Sequence, residues 1–554
     1  MINFKSIRNR KIFRYPLLAF AFLIYICYIL PFLNNVVFDS IIHFAYAETF
    51  IKGIPFQYNL HEHVTASTSP FWTLLLILFF YVSGFKFIIL LKIFIVLVFT
   101  ASTYYLFLIS RDIWKMKGLP LYVILVVWLI NVSVIKNSFG GMENILSTFQ
   151  VLFVYYLLFE KFVQNRIDNI KIAYVGLISG WALLTRPETG MICFGLNLVF
   201  ILKEAINRKQ KFSKSVLNIS ILLCAALVIL LPWHIYQYRY TGSILPDSAI
   251  SRTYLGKWFS IIIIRGFLYL HPELLLLFGS FFLPFTVGIF AELSKYFRKF
   301  DSLKDRILFV FSDNLYKTAA IAIIFTGFIF YSVVVGGVQT GRYFLSYYPF
   351  VFITGISGLR SMYLNLKSKH KWQANGLIIV SVAIIFVLNA YDYKIRVFGG
   401  KDIECAISDI TSAPLEREPY TSNFLKEFNY DVHDTVRVAI SEVQFRYFVD
   451  YRIYILSLDG RTSLDVFKYT DKDGFPDFEK FFMAEKPDIV EVKGWYNMFK
   501  GFPYRFFKYG KEHNIIAEWD NKISHMNLGE KFFWKGNEIQ YIVPGYVKII
   551  WHNS

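Results

Sequence analysis

Asp39 stands in the stretch VVFDSIIHFAYAETF, directly after the first long apolar run of the chain. A carboxylate at the mouth of a membrane helix can take the proton of a hydroxyl as that hydroxyl attacks an activated carbon. An ordinary solvated acid at a helix end would look the same in sequence. Other acids and bases follow in order. GGMEN (140–144) carries Glu143, and TRPET (185–189) carries Arg186 and Glu188. TGSILPDSAISR carries Arg252, and GGVQTGRYF carries Arg342. The forked donors of a guanidinium match the oxygens of a phosphate. Together these residue types suit transfer from a phosphate ester: Asp39 as base, arginines to neutralise the departing phosphate. Glu143, Arg186, Glu188, Arg252, Arg342, Glu62 and His43 are the candidate substrate contacts around it. Each has a plainer reading. Glu143 and Glu188 suit helix N-termini, where the dipole favours acids, and Pro187 suits a helix start. The arginines suit interfaces, where long side chains reach for water. His61 and His63 are two apart, a weak spacing for a metal.

These residues need elements to hold them, and the composition says which. The chain has 554 residues, 55% hydrophobic and 19% aromatic, with only 18% charged. A soluble protein of that length carries more charge and less aromatic surface. Apolar stretches fall near 15–33, 69–83, 87–109, 119–137, 145–162, 172–185, 189–203, 215–233, 271–292, 317–336, 345–361 and 375–391. Their lengths predict about 11–13 transmembrane helices. The first is too long for a cleaved signal and lacks a small-residue cleavage site, so it reads as a retained helix. The stretch Ile41–Ile51 repeats apolar residues at helical spacing, which predicts a short amphipathic helix on the membrane surface, ended by Gly53 and Pro55.

The formal charge of +18 raises the question of nucleic acid. Its distribution answers no. The tail after residue 391 is slightly acidic, so the whole excess lies in the short loops of the membrane part. That is the positive-inside pattern. The basic segment KSIRNRKIFR precedes the first span and belongs on the cytoplasmic side, which puts Asp39 outside. One difficulty remains. Three apolar stretches separate the Asp39 loop from GGMEN, and three crossings would place these motifs on opposite faces. The basic RDIWKMKG loop points to both motifs lying outside, which predicts that one of the three stretches fails to span or breaks within the bilayer.

Residues 1–391 therefore read as a polytopic helical membrane domain with an extracytoplasmic loop at 34–69. Residues 392–554 read as an extracytoplasmic α/β domain. Val436–Ile440 and Ile453–Leu458 are β-rich, FPDFEKFFMAEKPDIVEVK reads as helix then strand, and NEIQYIVPGYVKIIWH as paired strands. Tyr447, Trp495 and Tyr496 could stack on sugar rings there, although aromatics are commonly core. Of four cysteines only Cys405 lies in the tail, so the tail has no disulfide of its own.

The order of motifs resembles GT-C-type, polyprenyl-phosphate-sugar-dependent bacterial glycosyltransferases, most closely an arabinofuranosyltransferase-like group. Asp39, Tyr46, Ala47, Asn59, Glu62, Ser69, Pro70, Trp72 and Thr73 match that group's first-loop pattern in order. GGMENIL, LLTRPETG, PWHIYQYRYTGSILPDSAISR and GGVQTGRYFLSYYPF resemble its later segments, and YFVDYRIYILSLDG more weakly its tail. Phe38 stands where a first aspartate is usual, Val338 where a Gly-Gly-Asp acid is usual, and Ala45 where a basic residue is usual. The resemblance implies a GT-C-like fold. It implies transfer of a monosaccharide from a polyprenyl-phosphate donor to a cell-envelope glycan or lipid acceptor, with inversion. Asp39 would be the general base, and the enzyme would sit in a bacterial inner membrane facing the periplasm. A divalent cation is compatible with this but not demanded by the sequence. A lipid-linked oligosaccharide polymerase or ligase is the alternative, kept open by the long 234–270 loop. A flippase would call for internal pseudo-symmetry, which the sequence lacks.

Overall fold

The computed structural model describes residues 25–65, 67–162, 168–207, 212–246, 315–333, 344–369, separate positions from 372 to 394, and 405–440, 443–458, 465–469, 477–492 and 515–552. Among them, three helical stretches are long and apolar enough to cross a membrane: Pro70–Ile113, Pro187–Ile206 and Ser213–Thr241. A bent pair, Leu119–Ile130 with Val132–Phe139, would make a fourth. The chain is a membrane protein. The span expected at 271–292, Arg252, Arg342, Val338, Trp495 and Tyr496 lie outside the described residues.

Helix α1 (25–33) leads into strand β1 (Asn35–Val36) and then helix α2 (Phe38–Ile51), which carries Asp39 in its first turn. Gly53, at φ 75°, turns the chain away after the helix, as expected. Strands β2 (Gln57–Asn59) and β3 (Glu62–His63) form a small hairpin. The expected amphipathic helix exists, but it does not lie open on a membrane surface. Ser40 to Thr49 are all buried. Its sequence is apolar on nearly every side, so neighbours cover the whole circumference.

Helix α3 (Pro70–Ser83) begins with Pro70 after Ser69, a favoured place for proline. Gly84, at φ 55°, ends it, and a short turn leads to α4 (Phe87–Leu108). In one continuous helix the rings of Trp72 and Phe94 would stand roughly 33 Å apart. They are 6.2 Å apart, and Phe79 is 5.8 Å from Phe94. The chain therefore folds back at Gly84. With 14 residues α3 is about 21 Å long, short of a hydrocarbon core of about 30 Å. It packs beside α2 instead. Of the three stretches, 69–83 is thus the one whose own helix is shorter than a hydrocarbon core. The other two are α4 and the pair α5 (Leu119–Ile130) and α6 (Val132–Phe139), which breaks with a bend of 54°. Asn131 sits at the bend and caps α6 by accepting from the Val134 N–H at 3.0 Å.

Helix α7 (Asn144–Tyr156) follows the glycine turn, and α8 (Asn169–Thr185) and α9 (Pro187–Asn207) meet at Arg186. Pro187 disfavours helical backbone at the residue before it, and Arg186 is extended (φ −158°, ψ 135°). Helix α10 (Phe212–Thr241) packs closely on α8. A Cβ on Gly176 or Gly180 would come within 2.6 Å of the Leu222 or Ala226 carbonyl. This is small-xxx-small packing between membrane helices. The face of α4 carrying Ile89, Ile93 and Leu97 stays exposed, as lipid contact requires. Helices α11 (Leu315–Val333) and α12 (Tyr348–Lys369) complete the described membrane part.

The tail holds β4 (Cys405–Ala406), α13 (Ile407–Glu427), β5 (Val436–Ile440), β6 (Ile453–Ser457), α14 (Phe478–Glu485), β7 (Ile489–Glu491), α15 (Ile515–Ile523), β8 (Lys531–Trp534), β9 (Asn537–Val543) and β10 (Tyr546–Ile550). Six strands form one sheet in the order β6-β5-β7-β10-β9-β8. The first three are parallel and the last three run as antiparallel neighbours. The strands and the helix read from sequence are all present.

The tail docks on the Asp39 loop. Strand β1 pairs with β4. The Asn59 side chain acts as one more rung on the sheet edge: its amide donates to the Ile455 carbonyl (2.9 Å) and its oxygen accepts from the Ile455 N–H (2.9 Å). Arg446 also donates to Asn59 at 2.8 Å. Arg417 grips both oxygens of Glu48 at 2.9 Å. Burial pushes the Glu48 carboxyl up, but the Arg417 fork and Lys52 outweigh it and hold it below the usual carboxylate range.

Candidate active site

The two glycines of GGMEN build the first half of the site. The Val37 N–H donates to the Gly140 carbonyl at 2.9 Å, and the Ser40 hydroxyl lies 3.3 Å from the same oxygen. Gly141 has φ 88°, and a Cβ there would sit 3.1 Å from the Ser40 hydroxyl. Only a glycine gives both the backbone and the close approach. Asp39 therefore projects, half-buried, from the one turn of α2 that is stitched to the residues just before Glu143.

One helical turn beyond Asp39, on the same face, is His43. Its Nδ1 is 3.0 Å from the Ser67 hydroxyl, which is 3.0 Å from that of Thr73. Its Nε2 is 4.0 Å from Glu143 Oε2. Glu143 is 1% exposed. Its Oε1 accepts from Arg186 Nη1 at 3.1 Å, and the same nitrogen donates to Asn144 Oδ1 at 2.5 Å. Arg186 Nε donates to Glu188 Oε1 at 2.6 Å. So one buried guanidinium lies between two carboxylates, with His43 beside the first of them. The break at Pro187 places Arg186 there: its backbone leaves α8 and its side chain turns in toward the start of α7.

Beside this cluster is a small polar pocket with room for about one water molecule. Ser147, Thr189, Ser346 and Tyr347 line it together with Asn144, Arg186 and Glu188. The Ser147 hydroxyl is buried and has no hydrogen-bond partner among the described residues. Its hydroxyls, the Asn144 amide, the Arg186 guanidinium and the Glu188 carboxylate together offer donors and acceptors to a small polar guest. Sequence reasoning missed Asn144, Ser147, Ser346 and Tyr347. A signal existed for two of them. Asn144, Ser147 and Thr148 fall at helical spacing on an otherwise apolar helix, which marks a polar stripe facing inward.

The structure brings together His43, Glu143, Arg186 and Glu188, and Asp39 lies one helical turn before His43 on α2. Glu62 belongs to another cluster: it accepts from Asn59 at 2.7 Å and from the Tyr454 hydroxyl at 3.1 Å, at the seam with the tail. Arg186 is committed to two carboxylates, so it is the hub of the acids more than a hand for a phosphate. Tyr447 is fully buried against Phe44, as core. Among the described residues no group of three His, Cys, Asp or Glu side chains is placed to hold a metal ion.

No protein-family model matches the chain, and no curated protein matches it. Solved structures are similar at low identity. ArnT from Cupriavidus metallidurans bound to undecaprenyl phosphate shares 12% identity over 88% of this chain and 94% of that one, with a TM-score of 0.46. The same protein in the apo state gives 13%, 88%, 95% and 0.47. The Archaeoglobus fulgidus oligosaccharyltransferase in complex with Zn and sulfate shares 12% identity over 84% of this chain and 66% of that one, with a TM-score of 0.47.

Proposed function

We propose that the chain is a GT-C-type membrane glycosyltransferase that moves one sugar from a polyprenyl-phosphate donor to a cell-envelope glycan or lipid acceptor on the extracytoplasmic face. The observation that carries the reading is the bond from Val37 to Gly140, which joins the Asp39 turn to the buried Glu143–Arg186–Glu188 cluster. In the step proposed, Asp39 takes the proton of the acceptor hydroxyl, and that oxygen attacks the anomeric carbon. The bond from that carbon to the phosphate oxygen breaks, the polyprenyl phosphate leaves, and the anomeric configuration inverts. The leaving phosphate is weakly basic and needs charge more than a proton. Arg252 and Arg342 are the arginines assigned to it, since Arg186 is already balanced by two acids. The polar side chains beside Arg186 offer hydrogen bonds to sugar hydroxyls. A donor dissolved in the bilayer explains why the site opens among membrane helices.

The test compares envelope glycans, by mass spectrometry, from a deletion strain carrying wild-type protein or Asp39→Asn. Loss of a general base costs about 10²–10⁴ in rate. The expected result is loss of one terminal or branch sugar in both the deletion and the Asn strain, with Asn protein present at normal level. A fully active Asn variant would refute Asp39 as the base. Loss of a whole oligosaccharide block would point to the polymerase or ligase alternative.

A further inference from the structure

Lys92 lies inside an apolar helix, α4, and is 8% exposed. Its ammonium meets three main-chain carbonyls from three separate elements: Phe32 O at 3.3 Å, Asn35 O at 2.6 Å and Phe139 O at 2.5 Å. Phe32 is in the last turn of α1 and Phe139 is the last residue of α6. Carbonyls at helix ends have no partner within their own helix, and they carry the negative pole of the helix dipole. Two such poles converge here on one cation. An ammonium has three donors, and all three are used. No donor remains for a substrate phosphate.

The spacing gives this contact a purpose. Asn35 precedes Asp39 by four residues, and Phe139 precedes Glu143 by four. One cation thus holds the bases of both acid-bearing arms, on the same side as the Val37–Gly140 bond. We infer that Lys92 is a positioning residue that sets the separation of the Asp39 turn and the Glu143 turn. The inference rests on the glycosyltransferase reading for its effect on turnover, but not for its effect on the arms.

The test uses the full chain in the deletion strain and purified in detergent, with Lys92→Met and Lys92→Gln beside Asp39→Asn. Displacing a reacting group by about 1 Å can cost on the order of 100-fold. Lys92→Met is therefore expected to lower the glycan product about 100-fold, while hydrogen exchange quickens in peptides 34–42 and 138–146 alone. Binding of undecaprenyl phosphate, the probe, should stay within about threefold, about 0.7 kcal/mol. Lys92→Gln keeps donors and should fall between, and it carries the same readouts if the Met variant fails to accumulate. Unchanged exchange with probe binding weakened about tenfold would make Lys92 a phosphate ligand and overturn the inference. Unchanged product with an inactive Asp39→Asn control would also overturn it. If instead Asp39→Asn keeps its product, the glycosyltransferase mechanism falls, and the exchange result alone decides on Lys92.

Discussion

Replacing Arg186 with methionine tests whether it is the hub of the acids or a substrate ligand. Methionine keeps much of the length and apolar stem and removes the charge. Two carboxylates, Glu143 and Glu188, then lose a partner at 3.1 Å and 2.6 Å, and Asn144 loses a donor at 2.5 Å. Arg186 is 7% exposed and Glu143 1%, so water cannot replace the guanidinium freely. Removing one partner of a buried pair costs about 3–5 kcal/mol, mostly because the other charge is stranded. At about 1.4 kcal/mol per tenfold, that shifts the unfolding equilibrium by roughly 140- to 3,700-fold. The assay is detergent-induced unfolding of the purified protein, read by circular dichroism. The triple variant Arg186→Met, Glu143→Gln, Glu188→Gln removes the stranded charges. It should recover at least about half of the loss, because neutral amides are far cheaper to bury than ions. A loss below about 1 kcal/mol for Arg186→Met, in the range of a surface pair, would refute the hub. So would a triple variant no more stable than the single one.

The Glu48–Arg417 clamp predicts an acid-sensitive tail. The folded Glu48 carboxyl is held below its ordinary value of 4.5, so its stabilisation is complete above that pH and is lost as pH falls through the lower folded value. Limited proteolysis should therefore release the tail more readily in acid. Arg417→Met should mimic this at neutral pH, with a loss of about 3 kcal/mol at most, since Lys52 stays 2.8 Å from Glu48. Proteolysis unaffected by both changes would rule the clamp out. Gly180→Leu forces a side chain against the Ala226 carbonyl, and a cost of 1–3 kcal/mol or more is expected by thermal melting, about as for overpacking elsewhere. Gly195→Ala has nothing within 4 Å of the new Cβ and should stabilise α9 by about 0.5–1 kcal/mol. Equal melting temperatures for the two glycine variants would contradict the α8–α10 contact.

Much of this was readable from the residues, and the reasons are local. Asp39 and Glu143 stood out because glycines, short polar runs and helix starts punctuate an apolar chain. Strands β5, β6, β9 and β10 were legible because β-branched runs and a Pro-Gly turn bracket them. The short, folded-back helix at 69–83 shows in the sequence only as a parity problem. Apolarity cannot tell a spanning helix from a buried one, and Gly84 alone marked the fold-back. Lys92 went unnoticed because a single lysine in an apolar run gives no clue to three carbonyls from distant elements. Glu62 was read with the site because it lies in the same loop. Its partner Tyr454 is 392 residues away, and no local pattern reports such a contact.

The rung that Asn59 adds to strand β6 has a consequence for how the protein is made. Asn59 and Ile455 are 396 residues apart, so the loop is synthesised long before the sheet edge it completes. Until then the Asn59 amide and the Glu48 carboxylate must stay hydrated, and α2 lacks the cover it has in the finished protein. The tail made alone would carry β6 as an open edge, the kind of strand that recruits other chains. Closing so long a loop is a late and slow event. The helix bearing Asp39 is thus fully enclosed only after the last strands are in place, and a nascent or truncated chain would hold the acid without the walls that make it useful.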